Sequence, residues 1–270
     1  MILLYASVAA AYLAAAWIEW RRLSQPASPE STPVATISRW LPLLAIAGHA
    51  ILVLQAIFTD QGLDLSLANA LSAVAGLTAL FAWLGRLSGT LPGVAAAALP
   101  VAAAGVLLPA AFPNPHRFSF TAEPWAALHI AVALSAYALL IVAALQALVL
   151  LGFEKRLHRG LPEPGGGALP PLLTLERFLF RLVGAGYLLL TLTLLSGVLF
   201  SEELFGKALT FTHKTVFSVL SWFVFGAVLY GRHRYGWRGR TALNGILAGS
   251  ALLLLAYIGS KFVLEVILGR

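Results

Sequence analysis

Long apolar runs separated by short clusters of charge, proline or glycine recur along the chain, near residues 2–19, 41–58, 66–84, 91–112, 127–152, 178–200, 214–230 and 241–267. Each is close to the roughly 17 to 25 residues that an α-helix needs to cross a hydrocarbon core. The pattern therefore predicts eight membrane-spanning helices. The third and fourth are the least separated, because Leu65 to Phe112 is broken only by Trp83-Leu84-Gly85-Arg86 and a short Ser-Gly-Thr-Leu-Pro turn; reading through that break gives seven. No basic residue precedes the first run and no small-residue cleavage site follows it, so it reads as a membrane helix and not as a secretory signal. Two stretches fall outside the pattern, Ser24 to Thr36 and Gly160 to Pro171, "GLPEPGGGALPP". Proline and glycine at that density predict flexible, non-helical connections. The loop "FPNPHRFSFTAEPW" is longer than a turn requires, and its aromatic and arginine residues predict an amphipathic piece at the interface. The expected fold is all-α: one polytopic integral membrane bundle spanning residues 1–270 as a single transmembrane domain.

Composition agrees, since 60% of the 270 residues are hydrophobic and 11% charged, against roughly 25% charged in a soluble domain. The net charge of +7 gains meaning only once it is sorted by side. If the N-terminus lies outside, the inner loops hold Arg21, Arg22, Arg39, Arg86, Lys155, Arg156, Arg159, Arg177, Arg181, Arg232, Arg234, Arg238 and Arg240, thirteen of the 18 lysines and arginines. Arg117, Lys207, Lys214, Lys261 and Arg270 remain outside. The positive-inside rule then predicts both termini outside. The positive charge is a topology signal and an affinity for anionic membrane lipids, and no nucleic-acid partner is expected. The chain contains no cysteine, which excludes disulfides, thiolate metal sites and thiol nucleophiles.

The six histidines divide by depth. His158 and His233 fall among inner arginines and read as ordinary loop residues. His49, in "AIAGHAILVLQ", lies near the middle of the second helix, where an ionisable group is costly and is a functional candidate by default; a neutral imidazole bonded to a neighbouring helix is the alternative. His129 opens the fifth helix and His213 the seventh, both at the outer end. Two imidazoles from different helices at one level, near Trp125, Phe211 and Trp222, are what an axial pair for a flat apolar macrocycle needs. Arg117 and Lys214 are placed to meet its propionates. On the last helix "YIGSKFVLEVIL" sets Lys261 and Glu265 four residues apart, either a self-satisfied pair or part of a polar vestibule open to the outer side.

The stretches "HIAVALSAYALLIVAALQALVLL", "LERFLFRLVGAGYLLLTLTLLSGVLF", "THKTVFSVLSWFVFGAVLYGRHRYGWRGRTAL" and "LAYIGSKFVLEVIL" together resemble the cytochrome c assembly protein family, which includes CcsA, CcmC and HemX proteins, and within it an eight-helix branch of the bacterial inner membrane. The resemblance is strongest over residues 125–270. It implies that His129 matches an outer axial ligand of haem-delivering relatives and that His49 resembles an in-membrane haem ligand. Three departures stand beside it. The tryptophan-rich loop that presents haem in those relatives has no counterpart in "SEELFGKALTFTHK", the partner in-membrane histidine falls near Tyr230, and the second outer histidine would lie beyond Lys261, where the chain ends. His213 stands where the family usually has proline before the lysine, and is the expected substitute ligand.

The function expected is haem handling in the inner membrane: binding of haem through His129 and His213, with His49 deeper, flanked by Trp125, Trp222, Arg117 and Lys214, among partners of cytochrome c maturation. The competing expectation is an accessory or regulatory subunit of an ion or metal transporter, favoured by the loss of the tryptophan-rich loop. Regulation of haem synthesis at the inner face, as HemX relatives suggest, is a third, with little inner surface to support it. No paired carboxylates, nucleophile elbow, phosphate loop or dinucleotide fingerprint is present, so no enzyme is expected.

Overall fold

A computed structural model describes residues 2–24, 33–59, 62–87, 89, 93–113, 117–118, 124–160, 171–199 and 213–259. Among these residues eight helices are long and apolar enough to span a bilayer: α1 (Ile2–Ser24), α2 (Pro33–Ile57), α3 (Leu67–Leu87), α4 (Val94–Ala111), α5 (Pro124–His158), α6 (Leu172–Leu199), α7 (His213–Tyr235) and α8 (Gly239–Leu254), the last continued by a π-turn at Leu255–Gly259. Helices are what such a sequence must form, because a backbone in hydrocarbon has to satisfy its own N–H and C=O groups.

The break between α3 and α4 is real and rests on glycine. Gly89 and Gly93 have φ of 67° and 84°, a region from which a Cβ excludes other residues. One expectation needs correction. The connection read as non-helical from Ser24 to Thr36 is helical at both ends, with Ser24 closing α1 and α2 beginning at Pro33; a proline at the first helical position costs no hydrogen bond and presets φ. The fold also carries a three-stranded antiparallel sheet, β1 (Phe58–Thr59), β2 (Gly62–Asp64) and β3 (Arg117–Phe118). Leu63 pairs with Phe118 and Asp64 with Arg117. Arg117 and Phe118 of the long loop thus form a strand, which supplies backbone partners where the helices end; residues 114–116 and 119–123 of that loop, where an amphipathic piece is expected, lie outside the described residues.

The chain divides into two compact units. The first holds α1 to α4, the sheet, the end of α5 from Leu148 and the start of α6 to Phe178. Its core is rich in alanine around a few large side chains, Tyr5, Tyr12, Trp83 and Leu99, so backbones approach closely. A Cβ on Gly105 of α4 would run into the Cβ of Ala75 on α3. Arg86 Nη2, near the end of α3, lies 3.0 Å from Glu19 Oε1, near the end of α1, which ties the two parallel helices at one level.

The second unit holds Phe120–Ala147, with the first two-thirds of α5, and Leu179–Arg270, with the rest of α6 and α7 and α8. Lipid gives helices no hydrophobic reason to associate, so small residues and hydroxyls carry the contacts. A Cβ on Gly186 would sit 2.7 Å from Leu140. The Ser221 hydroxyl of α7 donates to the Gly249 carbonyl of α8 at 2.8 Å. Between those helices the Trp237 ring covers Gly231 and Trp237 N–H donates to the Gly231 carbonyl at 3.1 Å.

Candidate functional site

His129 stands on the second turn of α5, half-buried. Its Nδ1 lies 2.7 Å from Ser196 Oγ on α6, and the Ser196 hydroxyl donates to the Thr193 carbonyl one turn earlier at 3.1 Å. The Lys214 ammonium on the first turn of α7 is near enough for its charge to act on the imidazole. Lys214 Nζ in turn lies 5.7 Å from the centre of the Tyr257 ring at the end of α8. Tyr257 meets Tyr137 of α5 edge-on at 5.7 Å. His129, Ser196 and Lys214 thus stand near one end of the second unit, and Tyr257 links Lys214 to Tyr137, which lies eight residues, roughly 12 Å, further along α5 than His129.

His213 is the first residue of α7, exposed and adjacent in sequence to Lys214. Trp125 is exposed on the turn before His129. Trp222 is engaged elsewhere: its Nε1–H donates to Thr191 Oγ1 at 2.8 Å and its ring stacks on Tyr187 with centroids 5.5 Å apart. Nine residues after His213, it lies roughly 13 Å further along the helix axis. Its evident work is to wedge α6 against α7. Arg117 belongs to β3 in the first unit, opposite Asp64. Lys261 and Glu265 lie outside the described residues.

His49 is fully buried in the first unit. Its Nδ1 is 3.1 Å from the Tyr12 hydroxyl of α1 and its Nε2 is 2.9 Å from the Ser72 hydroxyl of α3. Either tautomer gives one nitrogen that donates and one that accepts, and a hydroxyl answers both. The ring also fills the space over Gly76, where a Cβ would come within 3.3 Å of it. His49 is thus a cross-brace binding α2 to α1 and α3. Among the described residues no three His, Cys, Asp or Glu side chains gather as a metal site; a haem iron asks the protein for only one or two axial nitrogens.

The profile of the family described as Cytochrome C assembly protein matches residues 37–268. The chain belongs to this family. It is similar to the Inner membrane protein YpjD of Escherichia coli K12, 35% identical over 233 residues that cover 83% of this chain and 85% of the relative. It is also similar to the cytochrome c biogenesis protein CcsA of Synechococcus sp. CC9902, 26% identical over 196 residues, 62% of this chain and 64% of that one. An uncharacterized 28.8 kDa protein of Azospirillum brasilense is 42% identical over 147 residues, 54% of each chain. No solved structure matches. The chain is accordingly a multi-pass inner-membrane member of the cytochrome c assembly family.

Sequence reasoning missed the partners of both imidazoles. Tyr12, Ser72 and Ser196 are single polar residues inside apolar helices, and nothing in the one-dimensional pattern says which way each faces. Counting depth would have narrowed the field: Tyr12 and Ser72 sit on the two helices flanking α2 in sequence, and "LLSGVL" puts a hydroxyl beside a glycine near one end of α6.

Proposed function

We propose that this protein binds and hands on haem in the inner membrane, with His129 as the residue that would hold its iron at the outer end of the second unit. The observation that carries the reading is the assembly of His129, Ser196 and Lys214 from three helices at one end. The donor set fits: a neutral imidazole to hold an iron, an ammonium to meet a propionate, and aromatic rings nearby. Haem, when bound, supplies an iron that accepts axial nitrogens and two carboxylates that need cations. His129 would hold the iron, Ser196 would orient the imidazole, and Lys214 would neutralise a propionate. His213, one residue before Lys214, is the proposed second or exchangeable ligand. Membership of a family that includes cytochrome c biogenesis proteins supports a place among cytochrome c maturation components, as a binding protein and not as a turnover enzyme. His49, with both nitrogens already bonded, is assigned here to packing and not to a second haem.

The test is an absorption spectrum of the full chain purified in detergent after expression with ample haem. A Soret band is expected, lost in His129→Ala combined with His213→Ala. A wild-type protein without the band overturns the reading.

The second reading, an accessory subunit of an ion or metal transporter, draws on one observation: residues 201–212, before Lys214, contain no tryptophan. Co-purification with a transporter, and transport changes in Lys261→Ala or Glu265→Ala that leave haem content alone, would favour it.

A further inference from the structure

We infer that the turn joining α7 to α8 is a built site for the phosphate of an anionic lipid headgroup, held by Arg232, Arg238 and Arg240. Arg232, Arg234, Arg238 and Arg240 crowd this turn, and Arg181 follows Phe180, the ring on which the Arg232 guanidinium rests. The described residues of the second unit contain no aspartate or glutamate. The adjoining lengths of α5 and α6 carry Glu154 and Glu176. However those two carboxylates pair, three of the five arginine charges stay in excess. A phosphate answers that excess with a fixed negative charge and several acceptor oxygens.

Arginines on a loose loop would attract anionic lipid only diffusely, whereas this turn is fixed. Gly236 and Gly239 reverse the chain with φ of 66° and 56°, a conformation that a Cβ disfavours. The Trp237 ring lies on Gly231, and its backbone N–H is bonded to the Gly231 carbonyl. Arg232 Nη1–H donates to the Trp237 carbonyl at 3.2 Å, while its guanidinium stands 4.7 Å from the centre of the Phe180 ring on α6. One arginine is thus pinned to the turn, with Arg238 inside the turn and Arg240 on the first turn of α8, both exposed. A guanidinium fork spans two phosphate oxygens at once, which an ammonium cannot do. The surroundings select a lipid as the source of the phosphate. The turn joins two helices of membrane length, and Tyr230, Tyr235 and Trp237 are exposed around it, as aromatic rings at headgroup depth are. The site stands apart from the haem reading and does not depend on it.

The experiment is native mass spectrometry of the full chain, delipidated in detergent and titrated with phosphatidylglycerol or with zwitterionic phosphatidylcholine. Wild type is expected to hold one phosphatidylglycerol roughly 10- to 30-fold more tightly than phosphatidylcholine. Arg238→Gln combined with Arg240→Gln is expected to abolish that preference. Arg238→Lys combined with Arg240→Lys, which keeps the charge but not the fork, is expected to weaken it several-fold. Arg156→Gln combined with Arg159→Gln, at the end of α5, removes as much charge elsewhere and is expected to leave it unchanged. All four side chains are exposed, so every variant is expected to keep the helix content of wild type by circular dichroism. A wild type without the preference overturns the inference. An equal fall in the two glutamine pairs, or a lysine pair that binds like wild type, overturns the built site in favour of diffuse charge. The bound lipid is expected to survive added inorganic phosphate; its displacement overturns the lipid as occupant in favour of free phosphate.

Discussion

At His49 a single imidazole joins three helices. Neither ring nitrogen reaches water, so each of its two hydroxyl partners spares the bundle an unsatisfied buried group, which costs about 1–3 kcal/mol when exposed by mutation. Tyr12→Phe and Ser72→Ala are each expected to lower the stability of the detergent-solubilised protein by about that amount, read from thermal unfolding, with haem content unchanged. Because both act on one ring, their effects should not add. Two single variants as stable as wild type would show that the brace carries no load. The sequence marked His49 and His129 well, since an imidazole within a hydrophobic run is conspicuous. It did not mark their partners. A serine or threonine in a membrane helix can always bond to its own backbone, as Thr78, Thr193 and Ser196 do, so only the rotation of the helix shows that Ser72 and Ser196 also meet a neighbour.

Among the described residues each predicted span falls mostly on one helix of the fold, with residues 260–267 of the last outside them. What the runs could not give is rotation. One face of α3 carries Asn69, Ser72, Gly76, Ala79, Trp83 and Arg86 at alternating spacings of three and four, and its contacts with Ala56, His49 and Glu19 identify it as the side turned to α1 and α2. On α6, Gly184 and Gly186 are indistinguishable by sequence, yet a Cβ on Gly184 meets nothing within 4 Å while one on Gly186 meets Leu140 at 2.7 Å. Gly186→Ala is therefore expected to destabilise the α5–α6 contact by about 1–3 kcal/mol, and Gly184→Ala to be nearly silent, in the same unfolding assay. Equal effects would refute the assigned face of α6. The small sheet escaped prediction because strands of two or three residues have no period to detect. The head of α2 escaped because Pro33 and its neighbours look like a linker until the proline is placed at the first helical position.

For the whole chain, the charge count predicts both termini outside; the parallel course of α1 and α3, tied by Glu19 and Arg86, is common to either orientation. The absence of cysteine makes the sidedness easy to measure, because an introduced thiol has no background. In intact spheroplasts a membrane-impermeant thiol reagent is expected to label Gly206→Cys and to leave Gly166→Cys unlabelled until the membrane is opened; the reverse pattern would invert the topology and move His129 to the inner face. His129 and His49 thus have opposite proposed jobs, a ligand at one end of the second unit and a brace within the first. The most direct trial compares haem retained per protein in His129→Ala and His49→Ala. The expected result is loss of the Soret band in His129→Ala and a band of wild-type position and height, per folded protein, in His49→Ala. Haem kept without His129 and lost without His49 would contradict it.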